Sequence, residues 1–168
     1  MPDVAFINGR FLPWEEATVS IDDRGFQFGD AVYEVIRTYR GTPFEFAAHL
    51  ARLNRSVGEL SLCQPYTKAQ WTRWIQQGLS LAGYQDAKIY IQVTRGVAPR
   101  EHGFPTDTLP TVVMTIREFH PLTPDVRRTG VSACTREDLR WGRCDIKSVN
   151  LLANVLAREE AKKAGVFE

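Results

Sequence analysis

Short runs of alternating apolar and polar residues dominate the start of the chain, and they mark strands. Val4-Ala5-Phe6-Ile7 reads as a strand, Asn8-Gly9 as a tight hairpin turn, and Phe11-Leu12 as the returning strand. Val32 to Tyr39 is rich in β-formers, and Arg40-Gly41-Thr42-Pro43 is a turn leading to Phe44-Glu45-Phe46. The period then changes. Leu50, Leu53, Val57 and Leu60 mark one helix face, and Thr67 caps a second helix carrying Trp71, Trp74, Ile75 and Leu79. Alternation returns where Ile89, Ile91 and Val93 interleave with Tyr90, Gln92 and Thr94, and Thr111 to Ile116 is a further strand. His120-Pro121-Leu122-Thr123-Pro124 has the proline content of a linker. A new strand is predicted near Val126 or Thr129, leading towards Cys134. Ser148 is a good N-cap for a last helix, with Leu152, Val155 and Leu156 at helical spacing and Gly165 as its stop. Glu159 and Glu160, ahead of Lys162 and Lys163, suit that helix's solvated face. The pattern predicts an α+β N-terminal domain over 1–119, a linker over 120–125 and the opening of a second domain over 126–168.

Composition narrows the class more than the function. A chain of 168 residues, 43% hydrophobic and 24% charged, is ordinary for a soluble globular protein with one core or one small domain plus part of another. Its net charge of +1 gives no electrostatic case for nucleic acid or an anionic membrane. No apolar run approaches the roughly 20 residues of a membrane span. Met1-Pro2-Asp3-Val4 lacks a basic region followed by an apolar core, so no signal peptide is expected. Cys63, Cys134 and Cys144 are odd in number without CxxC spacing. They read as reduced thiols of a cytoplasmic protein rather than a disulfide framework or a zinc site.

Candidate chemistry concentrates at Lys147, which follows Cys144 and Asp145 at the mouth of the predicted last helix. The positive end of a helix dipole disfavours an ammonium and favours the neutral amine that Schiff-base chemistry needs. On position alone, a solvated surface charge is the simpler reading. Cys144 reads as a structural thiol.

Three segments carry a resemblance. Asp145-Ile146-Lys147-Ser148-x-Asn150-x-Leu152 resembles the cofactor-lysine segment of the fold-type IV pyridoxal-phosphate enzymes. These comprise D-amino-acid transaminases, branched-chain transaminases and aminodeoxychorismate lyases. Asp23-Arg24-Gly25-Phe26-Gln27-Phe28-Gly29-Asp30-Ala31-Val32-Tyr33-Glu34 is similar to the N-terminal block of the same group. In Thr94 to Pro105, Arg100-x-His102 is similar to the D-amino-acid branch in particular. The similarity runs over essentially the whole chain, in the family's order.

The resemblance implies a two-domain fold-type IV enzyme of α+β class, with a complete N-terminal α/β sandwich domain and the start of the C-terminal domain. It implies pyridoxal 5′-phosphate held by Lys147 as a Schiff base, with the freed amine moving the proton between substrate Cα and cofactor C4′. Arg52 would bind the cofactor phosphate, since a guanidinium fork suits a dianion; a solvated helix arginine is its alternative. Tyr33, Arg100 and His102 would grip a substrate α-carboxylate, with Arg100 and His102 reaching into the partner's site of a homodimer. The alternative is a polar surface loop and a half-buried tyrosine. Glu34 either lines the pocket or faces solvent, while Arg55, His49 and His120 read as structural or solvated. The implied reaction is transamination of D-alanine with 2-oxoglutarate. A lyase or branched-chain transaminase usually lacks the Arg-x-His loop, and a non-catalytic N-terminal fragment is a third reading. Family members continue well beyond the equivalent of Glu168, and that part supplies the carboxylate facing the pyridine nitrogen and most phosphate donors. The chain is therefore expected to be truncated at its C-terminus and weak in cofactor retention.

Overall fold

Among the described residues, six strands, β1 (Val4–Ile7), β2 (Arg10–Leu12), β3 (Ala31–Tyr39), β4 (Thr42–Pro43), β5 (Ala87–Thr94) and β6 (Val112–Glu118), form one antiparallel sheet. Their order across it is β2-β1-β6-β5-β3-β4. The computed structural model describes residues 3–168, so the absence of a signal peptide read from Met1 and Pro2 lies outside the described residues.

Because side chains alternate across a strand, register decides which face is buried. Ile36 pairs with Ile89, Ile89 with Ile116, and Ile91 with Met114, so these apolar side chains share one face. Helices α2 (Phe46–Glu59) and α3 (Lys68–Ala82) cover it, contributing Leu50, Leu53, Val57, Trp71 and Ile75 to the same core. Phe6, Ile75 and Met114 are almost wholly buried, each contributing roughly 1.5–3 kcal/mol. The cap at Thr67 is a reciprocal box: its hydroxyl accepts from the Gln70 backbone N–H, and the Gln70 side chain accepts from the Thr67 N–H. A short helix, α1 (Arg24–Phe28), precedes β3 and is capped by the Asp23 carboxylate.

The chain divides into two compact units. The first runs to Phe119 and also holds Ile146–Val149; the second comprises His120–Asp145 and Asn150–Glu168. Residues 146–149 thus pack with the first unit, whereas the sequence pattern assigned all of 126–168 to a second domain.

Two local expectations in this region are corrected. Residues 124–129 form a helix, α4 (Pro124–Thr129), and not a strand. Thr123 accepts from the Val126 N–H and Pro124 occupies the first turn, so a helix-start signal overrides the β-propensity of Val126 and Thr129 and reaches into the expected linker. Helix α5 (Leu152–Lys163) begins after Leu151, without a side-chain cap. Ser148 is instead held in an extended bridge opposite Val32, so Lys147 is not a helix-start residue and the dipole argument does not apply to it. Gly165, at φ 71°, follows the end of α5 as expected. Leu152, Val155 and Leu156 are exposed. Among the described residues, no helix is long and apolar enough to cross a membrane.

Candidate functional site

Strand β3 pairs with β5 along one edge, and Ile146–Val149 runs antiparallel against the start of its other edge. The Tyr33 N–H donates to the Lys147 carbonyl (2.9 Å), and the Val149 N–H to the Ala31 carbonyl (3.2 Å). With Ser148 opposite Val32, Lys147 falls directly across from Tyr33, on the same face. Ile146 and Ser148 turn inward and are buried, which sends the Lys147 side chain the other way. Its Nζ stands 4.1 Å from the centroid of the Tyr33 ring. Tyr33 stacks on Tyr90 at 5.8 Å, and the Tyr90 hydroxyl donates to Gln92 (2.6 Å). The Lys147 backbone N–H donates to the hydroxyl of Ser56, a fully buried residue of α2 (3.3 Å). Two backbone bonds and one side-chain bond therefore fix the lysine's segment, while its amine has no hydrogen bond or ion pair among the described residues.

Glu34, next along β3, points to the opposite face and is wholly buried, which excludes the solvent-facing alternative. A carboxylate there needs partners. It accepts from Arg52 Nε and Nη2, the latter at 2.7 Å, and from His49 Nδ1 at 2.8 Å. Burial pushes the Glu34 carboxyl up, but the hydrogen bonds and charges of Arg52 and His49 outweigh that and hold it below its ordinary range. Arg52 is held above its ordinary value, chiefly by the Glu34 hydrogen bond against its own desolvation, with the charges of Glu34 and Tyr33 adding. Arg52 and Ser56 are one turn apart on α2, so a single helix face addresses Glu34 and the lysine segment.

The structure therefore brings Lys147 over Tyr33, while Arg52, which interacts electrostatically with Tyr33, is bound to Glu34 on the other face of β3. Two nitrogens of the Arg52 fork are taken by Glu34, which leaves the Nη1 edge, on a side chain 46% exposed, for any anion. His49, which had no context in the sequence, is a partner of Glu34. An amine without a salt partner beside an aromatic ring, together with an exposed guanidinium, is a donor set that fits a carbonyl compound bearing an anionic group.

Arg100 and His102 are not in contact with Tyr33 or Lys147 within the chain. Both reach the Phe28 ring, Arg100 at 4.7 Å and His102 at 5.5 Å, and both are exposed. Their loop is tied down by residues that sequence reasoning missed. Buried Arg24 donates to the carbonyls of Glu101 and His102 and, through Nε, to Asp30 (2.9 Å). Arg95 donates to the same carboxylate (2.7 and 3.0 Å) and to the carbonyls of Leu60 and Ser61. Burial pushes Asp30 up, but hydrogen bonds from Arg95 and Arg24, with their charges, hold it below the ordinary carboxylate range. The available hint was Asp30 itself, a charge placed against the apolar start of β3.

A family model for class IV amino-transferases matches residues 31–168. The D-alanine aminotransferase of Staphylococcus haemolyticus is 46% identical over 163 residues, covering 97% of this chain and 58% of that protein. The branched-chain aminotransferase of the archaeon Thermoproteus uzoniensis superposes with a TM-score of 0.84 at 22% identity, over 97% of this chain and 57% of that one. The 4-amino-4-deoxychorismate lyase of Pseudomonas aeruginosa gives 0.72 at 28% identity, over 93% and 56%. The chain thus spans less than two thirds of the length of each of these proteins.

Proposed function

The chain belongs to the class IV aminotransferase family, and on that premise we propose that it carries the lysine-bearing part of a pyridoxal-phosphate-dependent D-amino-acid transaminase. The observation that carries this reading is the Lys147 amine, without hydrogen-bond or ion-pair partners among the described residues and held over Tyr33 by a segment clamped to β3 and Ser56. Lys147 attaches the cofactor and afterwards carries the proton at substrate Cα. Arg52 offers its Nη1 edge to the cofactor phosphate. When bound, the cofactor supplies the electron sink for that proton transfer. The 46% identity to a D-alanine aminotransferase favours D-alanine with 2-oxoglutarate over the branched-chain and lyase readings, and the Arg100-x-His102 loop supports the same choice.

Tyr33, Arg100 and His102 are the carboxylate grip of this reading. Arg100 and His102, exposed and apart from Tyr33, serve the partner's site in a homodimer in the cytoplasm. The domain boundary lies between Phe119 and α4, with 126–168 opening the second domain apart from the inserted lysine segment.

The test is covalent. Pyridoxal phosphate followed by borohydride should mark Lys147 in peptide mass spectrometry, and Lys147→Ala should abolish the mark. Persistent labelling of another lysine would sink the assignment. For the shared site, mixed Arg100→Ala and Lys147→Ala chains of the active enzyme should regain part of the activity. No recovery despite verified subunit exchange would mean that each site is self-contained.

A further inference from the structure

Glu34 is a carboxylate with no exposed surface, set one residue from the tyrosine that faces Lys147. Such a group is costly to bury unless its partners do something with it. Its three hydrogen bonds all run to α2, and two of them lock one edge of Arg52. A lone arginine on a helix surface samples many rotamers, and binding an anion would cost it that freedom. Here Nε and Nη2 are already committed, so the guanidinium plane is fixed and its Nη1 edge is turned to one direction. His49, three residues before Arg52 on α2, bonds to Glu34 Oε2, the same oxygen that accepts from Arg52 Nη2, and so steadies the carboxylate against the fork.

We propose that Glu34 and His49 are positioning residues that pre-orient Arg52 for the phosphate of the cofactor, so that phosphate recognition is set in the buried face of β3 as well as at the arginine itself. The inference rests on the proposed cofactor reading and deepens it. It makes a prediction opposite to simple electrostatics. Neutralising Glu34 leaves Arg52 with a less compensated positive charge, which by Coulomb attraction alone would strengthen phosphate binding. If orientation dominates, the same change weakens it.

The experiment compares two probes on the chain as it stands, pyridoxal phosphate and pyridoxal, each fixed with borohydride and quantified as the Lys147 adduct. Pyridoxal reads the state of the lysine and the fold; the ratio of the two labels reads the phosphate contact, with Arg52→Ala as the baseline. Glu34→Gln keeps the size and one acceptor but places an amide donor against Nη2. It should lower the ratio about tenfold towards the baseline while leaving pyridoxal labelling within about twofold, the loss expected for one charge-assisted bond. His49→Gln, at a half-buried position that tolerates change more readily, should lower it in the same direction by a smaller factor. A ratio that stays at the wild-type value or rises in both variants overturns the proposal. Equal loss of both labels in both variants overturns it too, because the residues would then serve only the fold. If wild type and Arg52→Ala show the same ratio, Arg52 does not bind the phosphate, and the inference falls while Lys147 stands. If Lys147 takes neither probe, the cofactor reading itself fails, and the inference with it.

Discussion

Replacing Asp30 by asparagine removes the one negative charge between two buried arginines. The Asp30 side chain is 12% exposed, and those of Arg24 and Arg95 are 4% and 8%. It accepts three charge-assisted bonds, from Arg24 Nε (2.9 Å), Arg95 Nε (2.7 Å) and Arg95 Nη2 (3.0 Å). Deleting one partner of a buried ion pair costs about 3–5 kcal/mol, because the charge left behind stays desolvated. An asparagine oxygen still accepts one bond, which offsets about 1 kcal/mol. A loss of about 2–4 kcal/mol follows, a large part of the stability of a small domain. Urea unfolding followed by tryptophan fluorescence measures it. With a slope of about 2 kcal/mol per molar, the midpoint should fall by about 1–2 M. The same change frees the loop, because Arg24 and Arg95 also hold the carbonyls of Glu101, His102, Leu60 and Ser61. Amides of residues 97–104 should exchange faster than those of β5 in the same variant. A midpoint shift below about 0.3 M at unchanged slope, with unaltered loop exchange, would mean that desolvation cancels the attraction and that the network does not restrain the loop.

Gly96→Ala should be among the most damaging single changes: at φ 101° an added Cβ would lie 2.0 Å from the Leu109 carbonyl oxygen, which is backbone and cannot yield. A melting temperature lower by about 10 °C or more is expected, against a few degrees for Gly41→Ala, which has a similarly positive φ of 78° and nothing within 4 Å. Acid should unfold the chain through Asp30 and Glu34, both held below their ordinary values in the folded state. A depressed folded pKa contributes stability that is complete above the unfolded value and is lost as pH falls through the folded one. Wild type should therefore lose stability from about pH 5 downwards, more steeply than Glu34→Gln, and the two stabilities should converge at low pH; parallel curves across that range would contradict the assignment.

Much of the candidate site was legible from the sequence because its signals are local. Lys147, Tyr33 and Arg52 were singled out from motifs a few residues long, and the period of Leu50, Leu53 and Val57 marked the buried face of α2. Glu34 could have been placed as well. It is in phase with Val32, Ile36 and Thr38, all buried, and a strand residue in that phase faces the core whatever its charge. The failures were those where a local preference met a distant partner or a stronger neighbouring signal. Thr123-Pro124 made a helix of a stretch whose β-branched residues suggested a strand.

What the sequence by itself determined is most of the strands of the first unit, its two long helices and the faces they bury, because propensity, capping and periodicity act within a few residues; Lys147 was marked as a candidate by its motif's resemblance to a family segment. What only the tertiary structure decided is the company those residues keep. Ser148 opposite Val32, Lys147 across from Tyr33, Arg52 locked on Glu34, and two arginines sharing Asp30 all join positions far apart in the chain or on different elements. Such pairings are settled by burial and hydrogen-bond satisfaction once the sheet and α2 have packed, and nothing in the local pattern of a segment specifies which distant group will satisfy it.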